Sequence, residues 1–407
     1  MEQRSRFWWI NRNVAGMTVT SFCADVGYEM VNAVLPGFLA SIGVAAAALG
    51  WIEGAADALS SFVKLAVGWY SDRVGRRKPV VTLGYFLSGT ALSVFVIAVS
   101  WPLVLAGRVV AWFGKGIRGP LRDAMLAEFT VAEARGRVFG LHRAGDTAGA
   151  VLGPLIGVWL LRVLPRADAA EPFRGVFLFS LIPGLIAVAS MVFLVKERRR
   201  PIDLTSRFWS SVRNLPSDYR RLLNGVGLFG AGDFAHTLLV LAAVQLLAPE
   251  HGLVRAGELA ALLYALHNVV YAAAAFPVGM LADRFHKQSL LAVGYLLGAV
   301  TGFAVAGLFA WHLAGIGALT IVFALAGIYL GFEDTLEGAI PAGMISPEAR
   351  GTAYGVMGAV NGIGDLIASA LVGTLWTAVS PAAAFASAGV LMLAGSGLTA
   401  FNRASAA

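Results

Sequence analysis

Asp25 and Glu29 stand four residues apart in a largely apolar stretch, and Glu53 and Asp57 repeat that spacing, with Lys64 two turns further on. A separation of four puts both carboxylates of a pair on one helical face. Further along, the apolar runs carry Arg143 and Asp146, then Asp233 and His236, His267, the trio Glu333, Asp334 and Glu337, and finally Asn361 and Asp365. A charge inside an apolar helix costs at least about 2.5 kcal/mol on insertion scales and marks a functional interior. Burial favours the neutral form of a carboxylate and a nearby cation favours the charged form. A carboxylate that gains and loses a cation therefore loads and releases a proton. For His236 and His267 the plainer role is packed hydrogen bonding and the sharper one is proton relay near neutral pH.

Other chemistries find no residues. No nucleophile–base arrangement is visible, so no enzyme is expected, and no P-loop is present, so ATP is not the energy source. No cofactor is implied. The single cysteine, Cys23, excludes an internal disulfide and a Cys-rich metal site. No metal site is expected, although a pair such as Asp25 and Glu29 has the oxygens a hard cation takes.

The elements that position these groups are long apolar helices. The chain of 407 residues is 58% hydrophobic and only 14% charged, with mean hydropathy +0.73, against about 25% charge in globular proteins. A crossing helix needs roughly 20 apolar residues. Twelve spans are expected, at about 14–41, 44–69, 79–99, 101–127, 136–164, 174–195, 221–248, 256–282, 288–311, 314–343, 350–379 and 381–402. With the N-terminus inside, 21 of the 31 Lys and Arg residues fall in cytoplasmic segments and four outside, which orients both termini to the cytoplasm. The net charge of +7 thus reflects topology, not nucleic-acid binding. The expected locus is the cytoplasmic (inner) membrane, with Trp8 and Trp9 as an interfacial anchor. The basic segment 196–220 divides the chain into six-helix bundles over 1–195 and 221–407, and is expected to lie on anionic headgroups.

Two motifs recur in the same order. Gly68-x-x-x-Asp72-Arg73 returns as Gly279-Met-Leu-Ala-Asp283-Arg284, and Glu133-Ala-Arg-Gly136 returns as Glu348-Ala-Arg-Gly351. The first copy continues as Val-Gly75-Arg76-Arg77, whereas the second lacks the glycine. Arg108 lies in span four, and span five reads Gly149-x-x-x-Gly153-Pro154-x-x-Gly157.

Six plus six spans, a basic central loop and the Gly-x-x-x-Asp-Arg-x-Gly-Arg-Arg turn resemble the major facilitator superfamily, and the Gly-Pro motif resembles that of its drug/proton antiporters. The resemblance implies an all-α fold of twelve transmembrane helices in two pseudo-symmetric bundles, with a midplane substrate site. It further implies that spans one and seven face the cavity, so that Asp25, Glu29 and Asp233 contact substrate or proton. Asp57, Arg118, Arg143, Asp146, His267 and Asp365 complete the candidate cavity set. Gating is expected from Gly68, Asp72, Arg73, Gly75, Arg76, Arg77, Asp283 and Arg284, with Asp72 docked near Gly351 at the start of span eleven and Asp283 at the start of span five. An offset of 215 residues sets Glu333 opposite Arg118 and Glu337 opposite Arg122. These four either pair across the bundles as a cytoplasmic gate or touch the solute directly. Gly149, Gly153, Pro154 and Gly157 are expected to bend span five and allow close packing between the bundles. The implied function is secondary transport by alternating access, a monomer in the bilayer exporting a small organic solute against inward proton flow. The alternative is proton-coupled or facilitated uptake of an organic anion held by Arg118, Arg122 and Arg143.

Overall fold

The computed structural model describes residues 10–71, 76–130, 134–165, 167–197, 215–345 and 350–404. Trp8, Trp9, Asp72, Arg73, Gly75 and most of the expected linker lie outside them.

All the described secondary structure is helical. The spans are α1 (Arg12–Ser41), α2 (Ala46–Ser71), α3 (Lys78–Thr90) with a 3-10 continuation (Ala91–Ile97), α4 (Trp101–Glu128) and α5 (Arg135–Val163). The sixth is α6 (Glu171–Phe179) followed by α7 (Leu181–Leu194), and the seventh is α8 (Ser217–Gly230) followed by α9 (His236–His251). Then come α10 (Leu253–Arg284), α11 (Lys287–Ala310), α12 (Ile316–Met344), α13 (Arg350–Ala378) and α14 (Pro381–Ala404). The start of α8 at Ser217 lies four residues inside the segment expected to be linker.

Eight of the described helices are long and apolar enough to cross a membrane by length and composition. α1, α2 and α4 fall short because they carry the in-span charges, and the seventh span falls short because it breaks at residues 231–235. Their polarity is turned inward. In α1 every residue from Met30 to Leu39 is buried, and so is every residue of α9 from Thr237 to Val244. Large apolar side chains such as Phe193, Phe276 and Trp311 face outward, as they do where the solvent is lipid.

Small residues set the closest helix contacts. A Cβ on Gly50 would fall 2.1 Å from the Ser369 carbonyl oxygen, which fixes α2 tightly against α13. In α5, a Cβ on Gly149 would meet the Phe22 oxygen at 2.6 Å, and one on Gly153 would meet the Val26 oxygen at 2.7 Å. Gly157 is looser, 3.4 Å from Met30. This motif packs α5 on α1, a neighbour within the first six spans. The expectation that it serves packing between the two sets is therefore corrected, and Pro154 sits inside a helix that runs unbroken from Arg135 to Val163. Left-handed glycines turn the chain at equivalent places, Gly43 before α2 (φ 73°) and Gly252 before α10 (φ 74°).

Candidate functional site

α4 presents Arg108, Trp112, Lys115, Arg118 and Arg122 at steps of three or four residues, which is one stripe along a helix. The stripe faces Asp25, Tyr28, Glu29 and Asn32 of α1 and Glu53 and Asp57 of α2 across a cavity of about 690 Å³. The last six spans close it with His236, Thr237, Tyr264, His267, Tyr271 and Asp334. Volumes of 300–1,000 Å³ are typical of small-molecule sites.

At the cavity's deep end lies a continuous polar chain. Arg108, 1% exposed, donates to Glu53 Oε2 through Nε at 3.1 Å and Nη2 at 2.6 Å, and through Nη1 to Asn32 Oδ1. Its guanidinium also lies 3.6 Å from the centre of the Trp112 ring. Asn32 donates its other end to Glu29 Oε2 at 3.3 Å, and Tyr264 donates to the same oxygen at 2.8 Å. Four spans, one from the last six, are thus joined without an intervening gap.

The other arginines of the cavity also have carboxylate partners. Arg118 reaches Asp25 at 3.6 Å and lies over the Tyr85 ring. Arg122 contacts Asp123 at 2.9 Å and Asp146 at 3.6 Å, and donates to Ser21 Oγ at 2.9 Å. Arg143 meets Asp334 at 3.7 Å and the Tyr271 hydroxyl at 2.9 Å. Among the described residues Asp57 accepts only the indole N–H of Trp112. His267 pairs Nδ1 with Asn268 and stands 4.7 Å from the His236 ring, and both histidines have a buried Nε2 with no hydrogen-bond partner among the described residues.

The two ends of the cavity differ. Toward the face that holds both termini, the lining is exposed: the Arg143 side chain is 65% exposed, and Asp123 and Asp334 are each 49% exposed. Toward the opposite face, α1, α9 and α10 pack together without such exposure. That face also holds an ion triad, in which Glu258 of α10, 2% exposed, contacts Arg162 of α5 at 3.2 Å and Arg255 at 2.5 Å. The cavity is open to the terminal face and closed to the other.

Asp233 and Asp365, expected in the cavity, and Glu333 and Glu337, expected as its gate, form a separate cluster instead. Asp233 accepts from the Tyr329 hydroxyl at 3.0 Å. Glu337 accepts from the Tyr295 hydroxyl at 2.5 Å and the Asn361 amide at 2.6 Å. Glu333 and Asp365 lie with them, and none of the four lines the cavity. The expected pairs Arg118–Glu333 and Arg122–Glu337 are not made. Each arginine finds a carboxylate among its own six spans, while Glu337 turns toward Tyr295 of α11 and Asn361 of α13.

The other gating residues are also placed. Arg77 is buried and ion-paired with Glu128 at the end of α4, so it braces α3 against α4. Gly68 lies in the last turn of α2, and Arg76, Asp283 and Arg284 are exposed. Asp283 makes no hydrogen bond or ion pair among the described residues, so its expected docking on α5 is not made; the face where it stands is the open one. Sequence reasoning missed Asn32, Tyr264, Tyr271, Glu258 and His142. The neutral side chains give no charge signal. Glu258 sits near a span end, where acids are ordinary. His142 is buried against Ser21 and Asp146, and i,i+4 spacing to Asp146 was the available clue.

A polar chamber sealed at one face and open at the other, inside a bundle of membrane helices, is the architecture of a solute carrier. The sequence profile of the Major Facilitator Superfamily matches residues 17–246 and 222–405, and the chain belongs to this family. It is a multi-pass membrane protein and a secondary transporter, not an enzyme. It is 28% identical over 385 residues to an uncharacterized MFS-type transporter of Methanocaldococcus jannaschii, covering 94% of this chain and 93% of that one. It is 27% identical over 320 residues to the multidrug resistance protein MdtH of Photorhabdus laumondii, covering 75% and 74%. The fold matches the crystal structure of a bacterial homolog of the human lysosomal transporter Spinster with a TM-score of 0.72, at 17% identity and over 96% and 95% of the two chains.

Proposed function

We propose that the protein is a proton-coupled exporter of a small organic solute, working by alternating access between six-helix bundles over 1–195 and 221–407, with 196–220 as a cytoplasmic linker. Both termini lie in the cytoplasm and the membrane is the cytoplasmic one, so the open end of the cavity faces the cell interior. The protein acts as a monomer.

The observation that carries this reading is the row of carboxylates in a chamber closed on one side by contacts between the two helix sets. Asp25 faces Arg118 at 3.6 Å, a separation at which the pair is close but not locked. Among the described residues, Glu29 is tied to the last six spans only through the Tyr264 hydroxyl. A rocking of the bundles changes both environments, which is what loading and releasing a proton requires. Sequence similarity to a multidrug resistance protein supports the export direction, as does the Gly-Pro motif of α5. The anion-uptake alternative is weaker, because Arg118, Arg122 and Arg143 already face carboxylates.

Reconstitution tests it. Solutes that raise the melting temperature of the purified protein are loaded into proteoliposomes under an imposed pH gradient. Solute and proton moving in opposite directions is the expected result. Transport indifferent to the gradient would sink the coupling, and movement in the same direction would replace export by uptake.

A further inference from the structure

The arginines of the cavity are all matched by acids, and its two lysines are not. Arg108, Arg118, Arg122 and Arg143 each have a carboxylate within 4 Å. Among the described residues no carboxylate lies that close to Lys115 or Lys64. Lys64 is exposed near the open end, whereas Lys115 is half-buried in the middle of the α4 stripe. Its ammonium stands 4.5 Å from the centre of the Tyr28 ring and 4.9 Å from that of Trp112. The two rings meet edge to face, 6.1 Å apart, and form an aromatic corner for the charge. Aromatic faces attract a cation, but they leave the ammonium protons free to bond an anionic group.

Across the same indole the situation is reversed. Asp57 accepts the Trp112 N–H through Oδ1 and has no cation within 4 Å among the described residues. Its second oxygen accepts no hydrogen bond from the described residues and is not shut off from the cavity. Glu29, the other acid of the cavity without a cation that close, has one oxygen already accepting both Tyr264 and Asn32. One indole therefore separates an anion at its edge from a cation on its face, neither of them in an ion pair among the described residues. Burying a lone charge is costly unless a partner answers it, and here two opposite charges wait within the span of one small molecule.

We propose that the cavity selects an amphoteric solute, whose carboxylate or phosphate is held by Lys115 and whose amine is held by Asp57, with Tyr28 and Trp112 against its apolar part. This deepens the exporter reading by naming its substrate class and rests on the cavity being the solute site. A solute of one sign leaves one of the two groups unanswered, so discrimination follows from unpaired charge as much as from attraction.

The test is binding to purified full-length protein in detergent, without a gradient, so its outcome is separate from that of the coupling experiment. The probes are phenylalanine and alanyl-phenylalanine, each compared with the analogue lacking the carboxylate and the analogue lacking the amine. For phenylalanine these are phenethylamine and 3-phenylpropanoate. The zwitterions should bind at least about tenfold more tightly than either analogue, a difference of ~1.4 kcal/mol. Lys115→Gln should bring the zwitterion down to the affinity of the amine, and Asp57→Asn should bring it down to that of the acid. Lys115→Arg, which keeps the charge, should retain the preference and shows that the glutamine variant's loss is not a folding defect. Equal affinity for zwitterion and amine, an undiminished preference in Lys115→Gln, or no binding of either zwitterion would overturn the proposal.

Discussion

The cavity and the acid cluster of the last six spans solve one physical problem in opposite ways. Both hold carboxylates in an apolar surrounding. In the cavity, Glu53, Asp25, Asp146 and Asp334 are answered by arginines. In the cluster, Asp233 and Glu337 are answered by the hydroxyls of Tyr329 and Tyr295 and the amide of Asn361, and no Lys or Arg is ion-paired to any of the four acids among the described residues. An ion pair loses heavily when one member is removed, because the other is left as a buried charge. A carboxyl bonded to neutral donors can exchange for an amide of the same shape with little loss. The first region should be electrostatically brittle and the second tolerant.

The largest effect should come from Arg108→Ala, which strands Glu53 at 2% exposure. A loss of roughly 3–5 kcal/mol is expected, read as a steep fall in melting temperature and folded yield. Adding Glu53→Gln should restore part of it, and a double mutant no better than the single would break the comparison at its strongest point.

A second contrast sharpens the functional side. Asp25→Asn leaves Arg118 an amide oxygen in place of the carboxylate, so it should lower the melting temperature less than Arg108→Ala and still fold and bind solute, but lose gradient-driven transport in proteoliposomes. Glu337→Gln should keep that transport and change stability by less than about 1 kcal/mol, since the glutamine carbonyl can still accept from Asn361 and the Tyr295 hydroxyl can turn to accept from the new amide N–H. If Glu337→Gln uncouples transport while Asp25→Asn does not, the proton site belongs to the cluster.

The smallest effect is expected at the closed face. Arg162 is half-exposed and Arg255 remains on Glu258, so Arg162→Ala should cost less than about 1 kcal/mol in stability. Cysteine labelling at residue 37, introduced as Gly37→Cys beside Gly257, should nonetheless quicken as that face opens more often. Unchanged labelling would show that apolar packing alone holds the closure.

Much of this was legible along the chain, because the properties concerned are local. Hydropathy places a span wherever it falls, and the spans that failed a simple apolar test, such as α4, failed because of the residues that form the site. The acids at Asp25, Glu29, Asp57 and Asp146 were visible as charges in apolar helices, and all four line the cavity. Partnership was not legible. The repeat offset matched Arg118 to Glu333, but equivalent positions in two related helix sets need not face each other. Along the sequence Lys115 is one more cation within a span, and only its neighbours in space set it apart.

The sequence by itself determined a polytopic helical transporter of the major facilitator type and most of the charged groups in its interior. Both follow from residue type and spacing along single helices. Only the tertiary structure decided which charges cancel and which remain available. That depends on the rotation and tilt of one helix against another, where an ångström or two separates Arg118, answered by Asp25, from Lys115, which lies beside aromatic rings and has no carboxylate within 4 Å among the described residues.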